Sequence, residues 1–262
     1  WSSDVCSSDL NKSSLLSIDR NAEFENSKIE AQIGIGAPIY DFLPDFGLLV
    51  IGYLPGKTFT SQDVAANLDR IAQSVKKLHS AKAFVRDFDM FKIQQNYLKI
   101  VTERSFRLPE KYLDYAQHLD QMQTALKVLD EAKVPCNNDL LAANFIDDGE
   151  KIWLIDYEYS GNNDACFELG NIYSESELSY DQLVELVNHY YGRYRPEKVA
   201  RAWLFALLAR YGWSLWASIQ NSISEIDFDF WAWGMQKYER ACLDFSSTQF
   251  KSALTQVATK SN

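Results

Sequence analysis

The sequence predicts an α+β fold of two lobes, in which a small sheet-bearing lobe precedes a larger, mostly helical lobe with an embedded β-hairpin. Short apolar runs at residues 38–43 and 48–53, separated by a short turn, indicate a first hairpin. Apolar residues recur at helical spacing from residue 61 to about residue 130. Two more apolar runs, 144–146 and 152–155, flank a tight acidic turn and predict the second hairpin inside the helical lobe.

Capping and breaking residues predict the elements between these runs. Residues 15–18 indicate the end of a strand, and Asp19 can cap a helix that Gly34 helps to stop. A hinge between the lobes is expected near residues 51–55. After Asp164 the pattern is helical again almost to the end of the chain.

The first ten residues, WSSDVCSSDL, have neither the basic start nor the apolar centre of a signal peptide. They resemble the in-frame translation of a sequencing-library adapter, and a disordered native tail is the alternative. We expect residues 1–10 to be foreign and the authentic chain to begin near Asn11, without the start of its first lobe. The chain then divides into a partial N-lobe, residues 11–54, and a helical C-lobe, residues 55–262.

Composition excludes several classes of function. The 262 residues are 47% hydrophobic and carry a formal net charge of −10, which is typical of a globular protein but not of a duplex nucleic-acid binder. The same charge argues against binding to an anionic membrane surface, and no apolar stretch is long enough to insert into a bilayer. Four unpatterned cysteines predict reduced thiols and a cytoplasmic location, and three well-separated histidines do not predict a histidine metal site.

One segment contains the candidate catalytic and metal-binding residues. Asp139 is followed five residues later by Asn144, and Asp156 lies at the end of an apolar strand beyond the second hairpin. Phosphoryl transfer from ATP needs a carboxylate that accepts the hydroxyl proton and oxygen ligands that hold Mg²⁺ against the phosphates. Because the hairpin brings its two ends together, we expect Asp139 to be the base and Asn144 and Asp156 to be metal ligands. The alternative is that the three residues only form loop hydrogen bonds and a turn cap.

The run CNNDLLAANFIDDGEKIWLIDYEYSGNNDACFELGNI, residues 136–172, resembles the catalytic and metal loops of choline/ethanolamine kinases. This family belongs to the wider aminoglycoside-phosphotransferase-like, protein-kinase-like fold, and the similarity extends from about residue 14 to about residue 245. The resemblance implies a two-lobed kinase with ATP in the cleft between the lobes. It also implies that Glu158, in the same DxE pattern as Asp156, assists a second metal ion.

The chain departs from this family pattern in two places. The family has a histidine two residues before the base, where this chain has Asn137. Since an asparagine can donate and accept similar hydrogen bonds, we expect some loss of activity but not its abolition. The phosphate-covering loop and a basic phosphate contact should precede residue 14, so Glu23, which matches the acidic partner of that contact, is expected to lack its partner.

The resemblance also assigns nucleotide and acceptor residues. Hinge residues Ile51, Gly52, Tyr53 and Leu54 would face the adenine, although a plain buried strand end is equally compatible with each. Aromatic faces and a carboxylate would hold a quaternary ammonium, because such a group cannot donate hydrogen bonds. By matched position, this cage consists of Tyr159, Glu175, Tyr180, Trp213, Trp216 and Trp233. The alternative for most of these side chains is ordinary core packing, and for Glu175 it is a surface carboxylate.

Three functions remain open at this stage. The first is an ATP- and Mg²⁺-dependent kinase of choline, which the cage favours over ethanolamine because a primary ammonium would leave N–H donors unpaired against apolar walls. The second keeps the phosphotransfer but changes the acceptor to ethanolamine, thiamine or another small alcohol. The third is a catalytically impaired nucleotide-binding pseudokinase, which Asn137 and the absent N-terminal segment would favour.

Overall fold

The computed structural model describes residues 14–259 of the chain, so the suspected foreign segment lies outside the described residues. The strands are β1 (Ile39–Leu43), β2 (Leu48–Ile51), β3 (Lys57–Thr58), β4 (Val134–Cys136), β5 (Phe145–Asp147), β6 (Ile152–Leu154) and β7 (Gly161–Asn163). The first five α-helices are α1 (Arg20–Ile33), α2 (Ser61–Ala66), α3 (Leu68–His79), α4 (Met90–Glu103) and α5 (Ala116–Val128). They are followed by α6 (Ala165–Glu175), α7 (Tyr180–Tyr191), α8 (Pro196–Ile223), α9 (Phe230–Phe245) and α10 (Thr248–Ala258). The α+β class is confirmed.

The predicted first hairpin and the helix before it are present. The Asp19 carboxylate caps α1 by accepting hydrogen bonds from two backbone N–H groups, and Gly34, with φ of 69°, ends the helix in the left-handed conformation. Strands β1 and β2 then pair antiparallel, with Leu43 opposite Leu48. The strand end expected at residues 15–18 is wrong, because Ser14–Leu16 forms a 3₁₀ turn instead.

The second hairpin is also confirmed, and short strands that the sequence did not predict extend it. Strand β5 pairs with β6, and β3 adds to the other edge of β5. Strands β4 and β7 form a separate antiparallel pair that joins the segments on either side of this hairpin. Strands of two or three residues are too short to show an alternating pattern, which is why β3, β4 and β7 were not predicted.

Helix α8 forms the centre of the helical body. It packs against α4, α6, α9 and α10, and most of its length is buried on all sides, as expected for a helix whose apolar residues are not confined to one face. Gly170 of α6 lies so close to this helix that an added Cβ would be 2.2 Å from the Ala202 carbonyl oxygen. The close approach fixes α6, which carries Glu168 and Glu175, against the core.

The long helical stretch predicted for residues 61–130 is confirmed in content but is divided into α2, α3, α4 and α5, with a 3₁₀ turn at Tyr112–Tyr115. Within residues 14–259, no helix combines the length and apolar character needed to cross a bilayer. The thiols of Cys136, Cys166 and Cys242 are free, whereas Cys6 lies outside the described residues. The division into lobes at residues 54 and 55 stays a prediction.

Candidate active site

The loop that carries Asp139 and Asn144 runs from β4 to β5. The Asn144 side chain donates its Nδ2 to the Asp139 carbonyl oxygen at 2.8 Å, which closes the loop on itself. The backbone N–H of Ile155, just after β6, donates to the Asn144 carbonyl oxygen at 3.1 Å. The β5–β6 hairpin therefore returns the chain to this loop one residue before Asp156.

Asn137 joins the two loops through its side chain. Its Nδ2 donates to the carbonyl oxygens of Ile155, at 3.1 Å, and Asp156, at 2.8 Å. Its Oδ1 accepts a hydrogen bond from the Asp139 N–H at 3.0 Å, and the residue is fully buried. The asparagine thus makes the bracing contacts expected at a position where the family pattern has histidine.

A second brace comes from Glu168, which sequence reasoning missed. This residue is fully buried, and its two carboxylate oxygens accept hydrogen bonds from the N–H groups of Asn137, at 2.9 Å, and Asn138, at 2.7 Å. Burial raises the pKa of Glu168 to about 7, and the two N–H donors oppose this rise. A carboxyl group in the apolar stretch of α6, between Phe167 and Leu169, was the available signal.

Buried His79 and Cys136 lie beside Glu168. The three ligand atoms are within 4.8 Å of one another. Burial lowers the pKa of His79 to about 3, so its ring is neutral, and its Nδ1 is hydrogen-bonded to the Tyr190 hydroxyl at 2.7 Å. Because Glu168 already accepts two backbone hydrogen bonds from the loop, this cluster supports the loop. The three histidines are well separated in the sequence and therefore gave no indication of the cluster.

Several other carboxylates lie within electrostatic range of Asp139. Burial raises its pKa well above the usual range, and the charges of Glu175, Asp156 and Glu158 raise it further, whereas Lys237 opposes the shift. Burial also raises the pKa of Asp156 and Glu158, and neighbouring carboxylates add to both shifts. Lys237 and Arg20 offset part of this negative charge, and a bound divalent cation would offset more of it.

The donor set fits Mg²⁺. Since Asn144 uses its Nδ2 towards Asp139, its Oδ1 is left to accept from a cation, and the carboxylates of Asp156 and Glu158 would supply further oxygen ligands. Oxygen donors and excess negative charge are what a magnesium ion prefers. Hydrogen bonds to backbone carbonyl oxygens bring the segments of Asp139, Asn144 and Asp156 next to one another, and the grouping and roles of the three side chains stay predictions.

Glu23 is paired with a basic residue that sequence reasoning did not consider. Its carboxylate is 2.7 Å from the guanidinium of Arg20, one turn earlier on α1, and its side chain is only 15% exposed. Arg20 also lies 3.3 Å from the carboxylate of Glu158 and so connects α1 to the metal loop. The basic phosphate contact was expected before residue 14, which is outside the described residues, so the lack of that partner stays a prediction. The i,i+3 spacing of Arg20 and Glu23 was the available signal for the observed ion pair.

The predicted hinge follows β2. Gly52 is buried and its N–H donates to the Pro38 carbonyl oxygen at 2.7 Å, which holds the end of the hairpin. Ile51 is 47% exposed and Tyr53 is 89% exposed, and Leu54 is partly buried. Exposed apolar side chains at a hinge are compatible with a flat ligand, and adenine binding at these residues stays a prediction.

Four of the six predicted cage residues form one aromatic cluster. The Trp216 indole N–H donates to the Tyr159 hydroxyl at 2.9 Å, and the ring centroids of Trp216 and Trp233 are 5.6 Å apart. The ring of Tyr159 meets Trp213 edge-on at 5.0 Å. The Trp213 Nε1 is buried, and no hydrogen-bond partner for it is found in the described part of the chain.

The other two cage residues differ from each other. Glu175 is connected to the cluster through Lys237, whose Nζ is 2.7 Å from both carboxylate oxygens and 4.4 Å from the Trp233 ring centroid. The structure does not place Tyr180 in the cluster, because its ring is 41% exposed and its hydroxyl accepts a hydrogen bond from Gln249. Sequence reasoning missed Lys237, whose four-residue spacing from Trp233 was the only signal.

Comparison with known proteins agrees with this geometry. Ethanolamine kinase 2 of Rattus norvegicus is 32% identical over 145 residues, which cover 47% of this chain and 38% of that relative, so the match spans well under two thirds of the relative's length. A choline/ethanolamine kinase family protein from Mesorhizobium loti is 27% identical with a TM-score of 0.84, over 92% of this chain and 83% of that one. The choline kinase LicA from Streptococcus pneumoniae is 25% identical with a TM-score of 0.78, over 90% of this chain and 83% of that one.

The fold is therefore the two-lobed, protein-kinase-like one that the sequence motifs predicted. The family model described as choline/ethanolamine kinase matches residues 11–242, which is most of the chain. The chain belongs to the choline/ethanolamine kinase family.

Proposed function

We propose that the protein is an ATP-dependent phosphotransferase that transfers the γ-phosphoryl group to the hydroxyl of a small amino alcohol. The observation that supports this proposal most directly is the set of hydrogen bonds made by the Asn137 side chain. They connect the Asp139 loop with the carbonyl oxygens of Ile155 and Asp156. The segments that carry Asp139, Asn144 and Asp156 thereby lie next to one another. Family membership supports the reaction type, and another LicA structure is a complex with AMP.

Asp139 would accept the proton of the acceptor hydroxyl as that oxygen attacks the γ-phosphorus and the bond from this phosphorus to the leaving ADP oxygen breaks. Burial and the surrounding carboxylates raise the pKa of Asp139, which makes it a stronger base for this proton. Asn144, Asp156 and Glu158 would hold Mg²⁺, which supplies positive charge next to the phosphate oxygens. Asn137 and Glu168 keep the loop in place, so alignment and electrostatics supply most of the rate enhancement.

The acceptor we favour is choline. The cluster of Tyr159, Trp213, Trp216 and Trp233 presents several π-faces, and each contact with a cation contributes about 0.5–2 kcal/mol. A quaternary ammonium uses such walls fully, whereas a primary ammonium has three N–H donors to satisfy. Ethanolamine is the second candidate, because the rat relative is named an ethanolamine kinase and because Glu175 already accepts two hydrogen bonds from a primary ammonium, that of Lys237.

The test is a panel of small alcohols and amino alcohols with ATP and Mg²⁺ on the full-length protein, with ADP release and the mass of the product as readouts. We expect choline to have the highest specificity constant. A higher value for ethanolamine or thiamine would change the acceptor but keep the reaction. Binding of ATP without turnover of any acceptor would favour a pseudokinase and contradict the proposal.

Replacing Trp213 with Ala should reduce the specificity constant for choline by at least about tenfold more than that for ethanolamine, because a lost π-face affects mainly the acceptor that has no N–H donors. The ratio of the two constants is the measurement. It is insensitive to the stability that this buried side chain contributes, since misfolded protein lowers both activities equally. An unchanged ratio would place Trp213 in the core only.

A further inference from the structure

The ammonium group of Lys237 has the surroundings that we propose for the ammonium of the substrate. The Nζ of Lys237 is 2.7 Å from each oxygen of Glu175 and 4.4 Å from the ring centroid of Trp233. The side chains of Lys237 and Glu175 are only 12% and 5% exposed. An ammonium between a carboxylate and an indole face is the arrangement that recognises small organic cations.

This ammonium lies on the acceptor side of the site. Trp233 packs against Trp216, which in turn donates its N–H to Tyr159, so the contact is continuous with the aromatic cluster. The charges of Glu175 and Lys237 also act on the Asp139 carboxyl in opposite directions, which places both within electrostatic range of the proposed base.

We propose that Lys237 occupies the cation subsite of the acceptor pocket in the free protein, and that an amino alcohol binds by displacing its ammonium from Glu175 and Trp233. The inference rests on the proposed function, because it takes Glu175 and Trp233 as the acceptor subsite. It assigns to Lys237 the role of setting the affinity for the acceptor.

Charge balance explains why a lysine would occupy the cation subsite while the pocket is empty. Glu175 is almost fully buried, and a buried carboxylate without a counter-charge destabilises a protein strongly. Lys237 neutralises it while the pocket is empty, and the cation of the substrate would neutralise it in the complex. Because only molecules with Lys237 displaced can bind, the apparent association constant for the acceptor is the intrinsic constant multiplied by the fraction of such molecules.

The structure also provides space for the displaced ammonium. A cavity of about 400 Å³ is lined by Lys237 and Trp233 and by the exposed carboxylate of Glu177. A lysine ammonium on its flexible four-carbon stem can move into such a space and remain near a carboxylate. The alternative is that Lys237 stays in place and only orients Glu175, and it predicts no such movement.

The first test measures binding of choline and of tetramethylammonium, which has no hydroxyl, to the full-length protein by calorimetry. Lys237→Met should bind both cations about tenfold more tightly than wild type, as expected when a competing internal state of about 90% population is removed. Lys237→Arg, which keeps a cation, and Lys133→Met, which removes an exposed lysine paired with Asp87, should bind them about as wild type does. Equal or weaker binding by Lys237→Met, with binding by wild type intact, would overturn the inference and leave the proposed function standing.

The second test needs no variant, so it holds even if Lys237→Met does not fold. Brief acetylation of wild-type protein with acetic anhydride, read by mass spectrometry, should label Lys237 faster when choline is present, and Lys133 should be labelled at an unchanged rate. If acetic anhydride labels Lys237 more slowly, or at an unchanged rate, in the presence of saturating choline, displacement is contradicted. If wild type and Lys237→Met bind neither choline nor ethanolamine, the proposed acceptor site itself fails, and the inference fails with it.

Discussion

Replacing Asp139 with Asn is expected to lower kcat for acceptor phosphorylation by about 10²–10⁴-fold, the usual contribution of a general base. The substitution keeps the size of the side chain and removes the proton acceptor. The loop itself should persist, because it is held by the backbone atoms of Asp139 and by Asn137 and Asn144. Binding of ATP should therefore change little, and steady-state kinetics with nucleotide titration separates the two effects.

Asp69→Asn is the matched control for this substitution. Asp69 is exposed in the first turn of α3, and its replacement should leave kcat unchanged. A fall of less than about fivefold in kcat for Asp139→Asn would be too small for a general base. That outcome would remove the role assigned to this carboxylate.

Replacing Glu168 with Ala should lower the free energy of unfolding by about 2–6 kcal/mol, since two buried N–H groups lose their acceptor and each costs about 1–3 kcal/mol when unpaired. The groups are the N–H of Asn137 and of Asn138, within 2.9 Å of the carboxylate. Asn138 has a left-handed backbone, with φ of 70°, which makes this turn dependent on its partners. Urea denaturation of the full-length protein measures the change.

Glu185→Ala serves as the comparison, because Glu185 is exposed on α7 and its contact with His189 is at the surface. Its replacement should change stability by no more than about 0.5 kcal/mol. If Glu168→Ala lost less than about 1 kcal/mol, water or a rearranged loop would have to replace the carboxylate, and the bracing role would be wrong.

The sequence predicted the loop geometry because the relevant contacts are local. Asp139, Asn144 and Asp156 lie within 18 residues of one another, and a recognisable hairpin turn between them determines how the chain returns. The aromatic cluster was predicted from matched positions rather than from periodicity. Helical spacing alone cannot distinguish a cation cage from a packed core.

Contacts between distant segments could not be predicted. Lys237 and Glu175 are 62 positions apart, and Glu168 is 30 positions from Asn138, so no spacing rule connects them. The Lys237–Glu175 pair depends on how α6, α8 and α9 pack, and the Glu168–Asn138 contact depends on how α6 packs against β4. Both are properties of the whole core. Arg20 is different, since it lies one turn from Glu23 on a predicted helix and could have been recognised.

Calorimetric titration of ADP in the presence of Mg²⁺ or of EDTA tests most directly whether the hairpin creates one pocket for a divalent cation and the phosphates. Mg²⁺ should tighten ADP binding to the wild-type protein by about tenfold or more, or about 1.4 kcal/mol, and Asp156→Asn should lose this increment. Equal affinity with and without Mg²⁺, or an increment that persists in Asp156→Asn, would contradict the shared site.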